Sequence, residues 1–160
     1  LGDVYKRQSG NSVAMLNLLK LGRITANADY EQRAAEIGHA FSREIANSPT
    51  SYTQLMSALE FGVGPSLEVV IVGEEGAADT EAMLGALRDE FVPNKVVLLR
   101  GPEDDAPITA LADYTKYYYA IDDSATAYVC QNYVCEFPTN DPQTMVGLLA
   151  NPSGIGTSQE

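Results

Sequence analysis

A chain of 160 residues with 45% apolar content is long enough for one domain, or for a small domain joined to part of another, and its composition is that of a folded protein. Its 10 basic and 22 acidic residues leave a net charge of −12, a field that repels phosphate backbones and anionic lipid, so nucleic acid and membrane surfaces are poor default partners. No apolar run approaches the roughly 20 residues of a membrane span, and 2 cysteines are too few for a disulfide scaffold and suit a reducing cytosol.

The first eight residues, "LGDVYKRQ", lack the n-region and h-region order of a signal peptide. They resemble the read-through of sequencing adapters at the ends of open reading frames. On that reading residues 1–8 are a non-native leader and the natural protein continues upstream; the plain alternative is a native leading strand. "SGNS" follows, Ser9, Gly10, Asn11 and Ser12. Its local reading is a helix start capped by Ser9 or Asn11, and its functional reading is a helix start that lines a cavity.

From Asn11 to about Ile24 apolar residues cover nearly the whole circumference of a helix, with Asn17 and Lys20 the polar interruptions. An all-round apolar helix is expected to be buried by neighbours on every side, and where those neighbours belong to a missing upstream part, Val13, Leu16 and Leu19 are expected to be poorly covered in this chain. A second helix is expected to open with Asp29 and Gln32 at capping-box spacing, then carry Tyr30, Ala34, Ile37, Phe41 and Ile45 on one face and charges on the other. Ser51 and Gln54 repeat that spacing before a third helix, Tyr52 to about Phe61, which Gly62, Gly64 and Pro65 end. Buried, exposed and buried helices in alternation suit concentric helical layers.

The period then changes. "LEVVIV" (Leu67 to Val72) and "KVVLL" (Lys95 to Leu99) read as buried strands around a helix from Thr80 to Phe91, a βαβ unit with parallel strands. Ile108 to Tyr119 is ambiguous, with a short helix one reading. "TAYVC" (Thr126 to Cys130) reads as a third strand. Asp141 as N-cap with Pro142 at the first helical position starts a last helix, Gln143 to Ala150. The fold class is therefore α+β, with helices over 9–65, a small α/β module over 66–150 and a frayed tail over 151–160.

Four candidate sites arise from residue chemistry. The turn from Gly73 to Asp79 follows a strand and opens a helix, as in a nucleotide-binding βαβ domain, but it lacks G-x-G-x-x-G and puts Glu74, Glu75 and Asp79 where phosphates would sit. Cys130 and Cys135 have four residues between them; they are packed thiols, a redox or disulfide pair, or ligands of a shared metal. If the chain turns at Gln131-Asn132 they become diagonal neighbours across a hairpin. No complete zinc set exists, because His39 is the single imidazole, and it falls off the apolar stripe of its helix. Tyr114, Tyr117, Tyr118, Tyr119, Tyr128 and Tyr133 cluster, and with Lys116 alone interleaved they suit packing on the sheet better than stacking on bases. No metal and no cofactor is expected, and no catalytic residue is identified.

In order, "SGNSVAMLNLLKLGRIT", "EVVIVG" with "PNKVVLL", and "TAYVCQNYVCEFPTNDP" resemble the C-terminal part of the spermatogenesis-associated, thioredoxin-domain-containing family. The resemblance spans Ser9 to about Ala150. It implies a large cytosolic parent with a thioredoxin-like domain, then an (α/α)6 toroid of the six-hairpin glycosidase and N-acylglucosamine 2-epimerase type. Residues 9–61 would be the last toroid helices and Leu67 to Ala150 the C-terminal α/β portion. The partners of this chain would then be the upstream toroid helices and the thioredoxin-like domain of the same protein. The sites for carbohydrate or thiol chemistry would lie largely outside this chain. By that resemblance Ser9, Gly10, Asn11 and Ser12 border the toroid cavity. Cys130 and Cys135 match the family's "YVC", four residues, "C" pattern.

Overall fold

The structure, a computed structural model, describes residues 10–103 and 106–150. The leader over 1–8, Ser9 and the tail over 151–160 lie outside the described residues. The chain divides into two compact units, Leu1–Pro65 and Ser66–Glu160.

The first unit is helical. Helix α1 (Gly10–Thr25) packs against α2 (Ala28–Ala40) and α4 (Thr53–Val63), with a short α3 (Ser42–Asn47) and a 3-10 turn at Pro49–Ser51 between. Three expectations are corrected here. The N-cap of α2 is Asn27, whose side chain accepts from the Asp29 backbone N–H at 3.0 Å, so the Asp29–Gln32 box is not formed. Tyr52 precedes α4 without a side-chain cap, because Ser51 sits in the 3-10 turn and bonds Ser48 instead. The helix expected to run through Ile45 breaks at Phe41, whose N–H bonds back to the Ile37 and His39 carbonyls.

Helix α1 is also not covered all round. Of the residues expected to be poorly covered, Leu19 is instead buried with Met15 and Leu16 is half-buried, because α2 and α4 pack on that side, but Val13 and Leu21 remain 37% and 42% exposed on the flank that Asn17 shares. Their i, i+4, i+8 spacing makes one outward stripe. Buried residues cluster on α1 and α4, whereas α2 buries only Ala34.

The second unit is a four-stranded sheet of order β2-β1-β3-β4. β1 (Leu67–Val72) runs parallel to β2 (Lys95–Arg100) through α5 (Ala78–Asp89), and antiparallel to β3 (Thr126–Gln131). β4 (Val134–Cys135) hairpins back on β3, and α6 (Pro142–Ala150) closes the chain. Asp141 caps α6 as expected, its Oδ2 accepting from the Thr144 N–H at 2.8 Å and hydroxyl at 2.6 Å.

Successive strand residues face opposite sides. Leu67, Val69, Ile71, Ala127 and Val129 meet α5 and α6 through Met83, Leu87, Met145 and Leu149, and this is the core. Each fully buried aliphatic side chain there contributes about 1.5–3 kcal/mol of transfer free energy. The opposite face carries Glu68, Val70, Val72, Arg100, Thr126 and Cys130, and it too is buried, which is why β1 is shielded at all six positions. Its cover includes the segment read as ambiguous, which forms two 3-10 turns, Pro107–Ala110 and Asp113–Tyr117.

Candidate functional site

The second face of the sheet is where polar chemistry concentrates. In the β1–β3 register Glu68 lies opposite Cys130, and in the β3–β4 register Cys130 lies opposite Cys135. The chain turns at Asn132-Tyr133, one residue later than the turn weighed from the sequence. Both residues hold positive φ, 51° and 62°, as a two-residue type I′ hairpin requires. That one-residue shift brings the cysteines directly across from each other rather than diagonally.

They form a disulfide, with Cα atoms 3.8 Å apart. The reading of two reduced, packed thiols is thereby corrected. The pair occupies a non-hydrogen-bonded register position: the neighbouring bond runs from the Glu136 N–H to the Val129 carbonyl at 2.9 Å. Side chains come closest at such positions, where an ordinary Cα separation is about 4.5 Å.

Tyrosines wrap this bridge. The Tyr118 hydroxyl donates toward Cys135 Sγ at 3.1 Å and lies 3.8 Å from Cys130 Sγ. Its ring stacks on Tyr128 at 4.4 Å and 10°. The Tyr128 hydroxyl in turn donates to the Tyr119 carbonyl at 2.9 Å and accepts from the Tyr119 N–H at 3.1 Å, which pins the 3-10 segment to β3. Tyr114 packs edge-on against both Tyr118 and Tyr133. Packing on the sheet is thus what Tyr114, Tyr118, Tyr128 and Tyr133 do, whereas the Tyr117 and Tyr119 rings are exposed. Glu68, 1% exposed, accepts from the Tyr133 N–H at 3.1 Å and so holds the turn from below. Burial first, and then the neighbouring tyrosines and Glu68, push the Tyr114 hydroxyl well above the ordinary tyrosine value. Tyr118 is raised for the same first reason, followed by Glu68 and Tyr128. Both hydroxyls are therefore held protonated, and that of Tyr118 is placed as a donor to the bridge.

The other sequence candidates fare differently. At the α5 N-terminus Asp79 accepts from the Thr80 N–H at 2.9 Å and from the Ala125 N–H at 2.7 Å. These bonds, Ala125 first, hold its carboxyl below the usual range. The helix end is already supplied with a carboxylate, and the crevice beyond β1 and β2, about 560 Å³, is lined by Glu74, Glu75 and Glu103. Gly73 is needed there, since a Cβ would strike Thr80 Oγ1. This arrangement disfavours a nucleotide phosphate.

Within the helical unit, a mostly apolar groove of about 720 Å³ runs past Met15, Leu19, Gly38, Ile45, Leu59 and Gly62. His39 stands exposed on its wall, and an Arg23–Glu31 ion pair (3.5 Å) lies at its edge. Gly10 and Asn11 are exposed and Ser12 is buried at the start of α1, and none of the three lines this groove. Among the described residues, no group of three or more His, Cys, Asp and Glu side chains could hold a metal ion, and no helix is long and apolar enough to cross a membrane.

Sequence reasoning missed two buried charges, Glu68 and Arg100. Arg100 is fully buried, and its Nη1 donates to the Gly101 carbonyl at 3.0 Å. The available signal was parity: Glu68 alternates with Val70 and Val72, and Arg100 with Val96 and Leu98.

No family model and no solved structure matches the chain. Over 141 residues it is 30% identical to spermatogenesis-associated protein 20 of Homo sapiens, and 28% identical to the proteins of that name from Rattus norvegicus and Mus musculus. The match takes in 88% of this chain, which spans 18% of the length of each of those relatives.

Proposed function

We propose that the chain is the non-catalytic C-terminal part of a larger, cytoplasmic protein similar to spermatogenesis-associated protein 20. Its helical unit supplies the closing helices of a six-hairpin toroid, and the α/β unit is an appended module. Carbohydrate or thiol chemistry of the parent would reside in the toroid and a thioredoxin-like domain upstream, with Ser9, Gly10, Asn11 and Ser12 at the cavity rim. The observation that carries this reading is apolar surface left over on a helix that the sequence writes as buried. Val13 and Leu21 face outward on α1, and the groove past Met15 and Leu59 is open. A stripe and a groove of this kind suit neighbouring helices of the same chain, and the relatives contain several times more chain than is present here.

The test uses Ala35→Glu on the groove wall, an exposed position. In the 160-residue chain the charge stays in water, and the unfolding midpoint should not move. In the parent, recovered with its upstream coding sequence, it should lower the midpoint, because the charge would be buried against the incoming helix. Equal behaviour in the two proteins would overturn the proposal.

A second reading is that Cys130 and Cys135 form a reversible dithiol. The facing register and the hydroxyl donor beside the bond favour it. Thiol counting by mass spectrometry across graded thiol buffers tests it; a native bond that never opens in any of them ends it.

A further inference from the structure

We propose that the Cys130–Cys135 bridge is a thiol–disulfide exchange site with a fixed polarity: an incoming small thiolate attacks Cys135 Sγ, and Cys130 departs as a thiolate stabilised by the Tyr118 hydroxyl. The inference deepens the dithiol reading and rests on it.

The difference in exposure sets the polarity, and two further contacts decide what the departing sulfur needs. Cys130 is 2% exposed beneath the aromatic layer, whereas Cys135 is partly open on the short edge strand β4. Exchange requires approach along the sulfur–sulfur axis to the sulfur being attacked, so only Cys135 admits an external nucleophile. Next, the Tyr118 hydroxyl is within reach of both sulfurs, 3.1 Å from Cys135 and 3.8 Å from Cys130. It is held protonated by burial, and its ring is fixed on Tyr128, so it stays a donor within reach of Cys130 when the bond opens and that sulfur gains charge. Finally, Glu68 is paired with Cys130 across β1 and β3, and a carboxylate in that position works against a neighbouring thiolate. The departing sulfur therefore needs a donor, and among the described residues Tyr118 is the hydroxyl placed to serve.

The step balances without a bound group. The thiolate forms a bond to Cys135 Sγ, the Cys130–Cys135 bond breaks, and its electron pair stays on Cys130, which then takes a proton from solvent. A second thiolate attacks the external sulfur of the mixed disulfide, releases Cys135 and leaves the small thiol oxidised. The co-reactant is a small thiol or dithiol, and the charge of the chain favours one that is not strongly anionic.

Opening the bond also frees the turn. Tyr133 holds a φ of 62°, a region that costs a bulky residue about 1–2 kcal/mol. β4 pairs with β3 at two positions only, Cys130↔Cys135 and Gln131↔Val134. The hairpin tip is thus the part of the sheet that exchange would release.

The experiment traps the mixed disulfide in the intact 160-residue chain with reduced glutathione at native pH, followed by acid quench and peptide mapping. Adduct on Cys135 alone is expected, and adduct on Cys130, or on both equally, overturns the polarity. Single variants check access without reliance on trapping: Cys130→Ser leaves a thiol that reacts with a disulfide reagent at least about 100-fold faster than the thiol left by Cys135→Ser, whose buried sulfur waits for opening. Tyr118→Phe keeps the ring and its stacking, and should slow bond opening about tenfold while the adduct stays on Cys135. An unchanged rate in Tyr118→Phe removes the donor from the mechanism. A native bond inert to every thiol tried removes the dithiol reading itself, so the two failures are told apart.

Discussion

Reduction of the Cys130–Cys135 bond is the cleanest perturbation available, because it leaves every other bond of the chain in place. The bridge spans a sequence separation of 5. The chain-entropy relation gives about 2 kcal/mol for so short a loop, arising in the unfolded state, where the constraint removes conformations. The remaining contacts of the hairpin, such as Glu68 to the Tyr133 N–H and Tyr128 to Tyr119, do not require the bond. The α/β unit should therefore stay folded on reduction and lose about 2 kcal/mol. That corresponds to a shift of about 0.5–1 M in guanidinium midpoint, or about 10 °C in melting temperature for a unit of this size. The assay is guanidinium unfolding with and without a dithiol, read by near-ultraviolet dichroism of the tyrosines and by amide exchange at Val129 on β3. A midpoint that does not move would refute the reasoning, and so would collapse of the whole sheet on reduction, since the core on the α5/α6 face does not touch the bridge.

Other consequences follow from the same geometry. Met145→Ala, at a fully buried core position, should cost about 2–5 kcal/mol in chemical denaturation. Arg100→Met should be neutral or stabilising in the same assay, because Nε and Nη2 of this buried guanidinium have no hydrogen-bond partner among the described residues and an apolar chain of similar length avoids their desolvation. Asp79 and Asp141 both have carboxyls held below the usual 3.8, Asp79 by the Ala125 N–H and Asp141 by the Thr144 hydroxyl. Their stabilisation is present above that value and lost as pH falls through the lower folded values, so an acid titration followed by dichroism should show stability declining below about pH 4. Tyr114 and Tyr118 are raised above 10.0, so their stabilisation is complete below pH 10.0 and is lost as the pH rises beyond it, visible as tyrosinate absorbance appearing together with unfolding.

The strands of the βαβ unit and the last helix were legible in the sequence because local chemistry and tertiary context agree there. β-branched runs make β1 and β2, and the Asp141-Pro142 pair starts α6. The hairpin was not legible. A type I′ turn is signalled by Asn-Gly or Asp-Gly, and here Tyr133 stands in the second position at positive φ, held by Glu68 and Tyr114 rather than by its own preference. With the turn hidden, the register slipped by one and the facing cysteines read as diagonal. Capping boxes failed for a related reason: Asn27 and the 3-10 turn at Pro49–Ser51 reached the helix ends first. The all-round apolar pattern of α1 is the informative mismatch, since the sequence writes burial and the surface leaves Val13 and Leu21 open, which is what the proposed upstream neighbour would cover.

That implication is tested most directly by the reactivity of a single thiol. Leu21→Cys, with the native bridge intact, should label with a maleimide at the rate of an exposed cysteine in the 160-residue chain. In the full-length parent it should be protected by at least about tenfold, because its stripe would lie under an upstream helix. Equal labelling in the two proteins would contradict the account that these helices close a larger body.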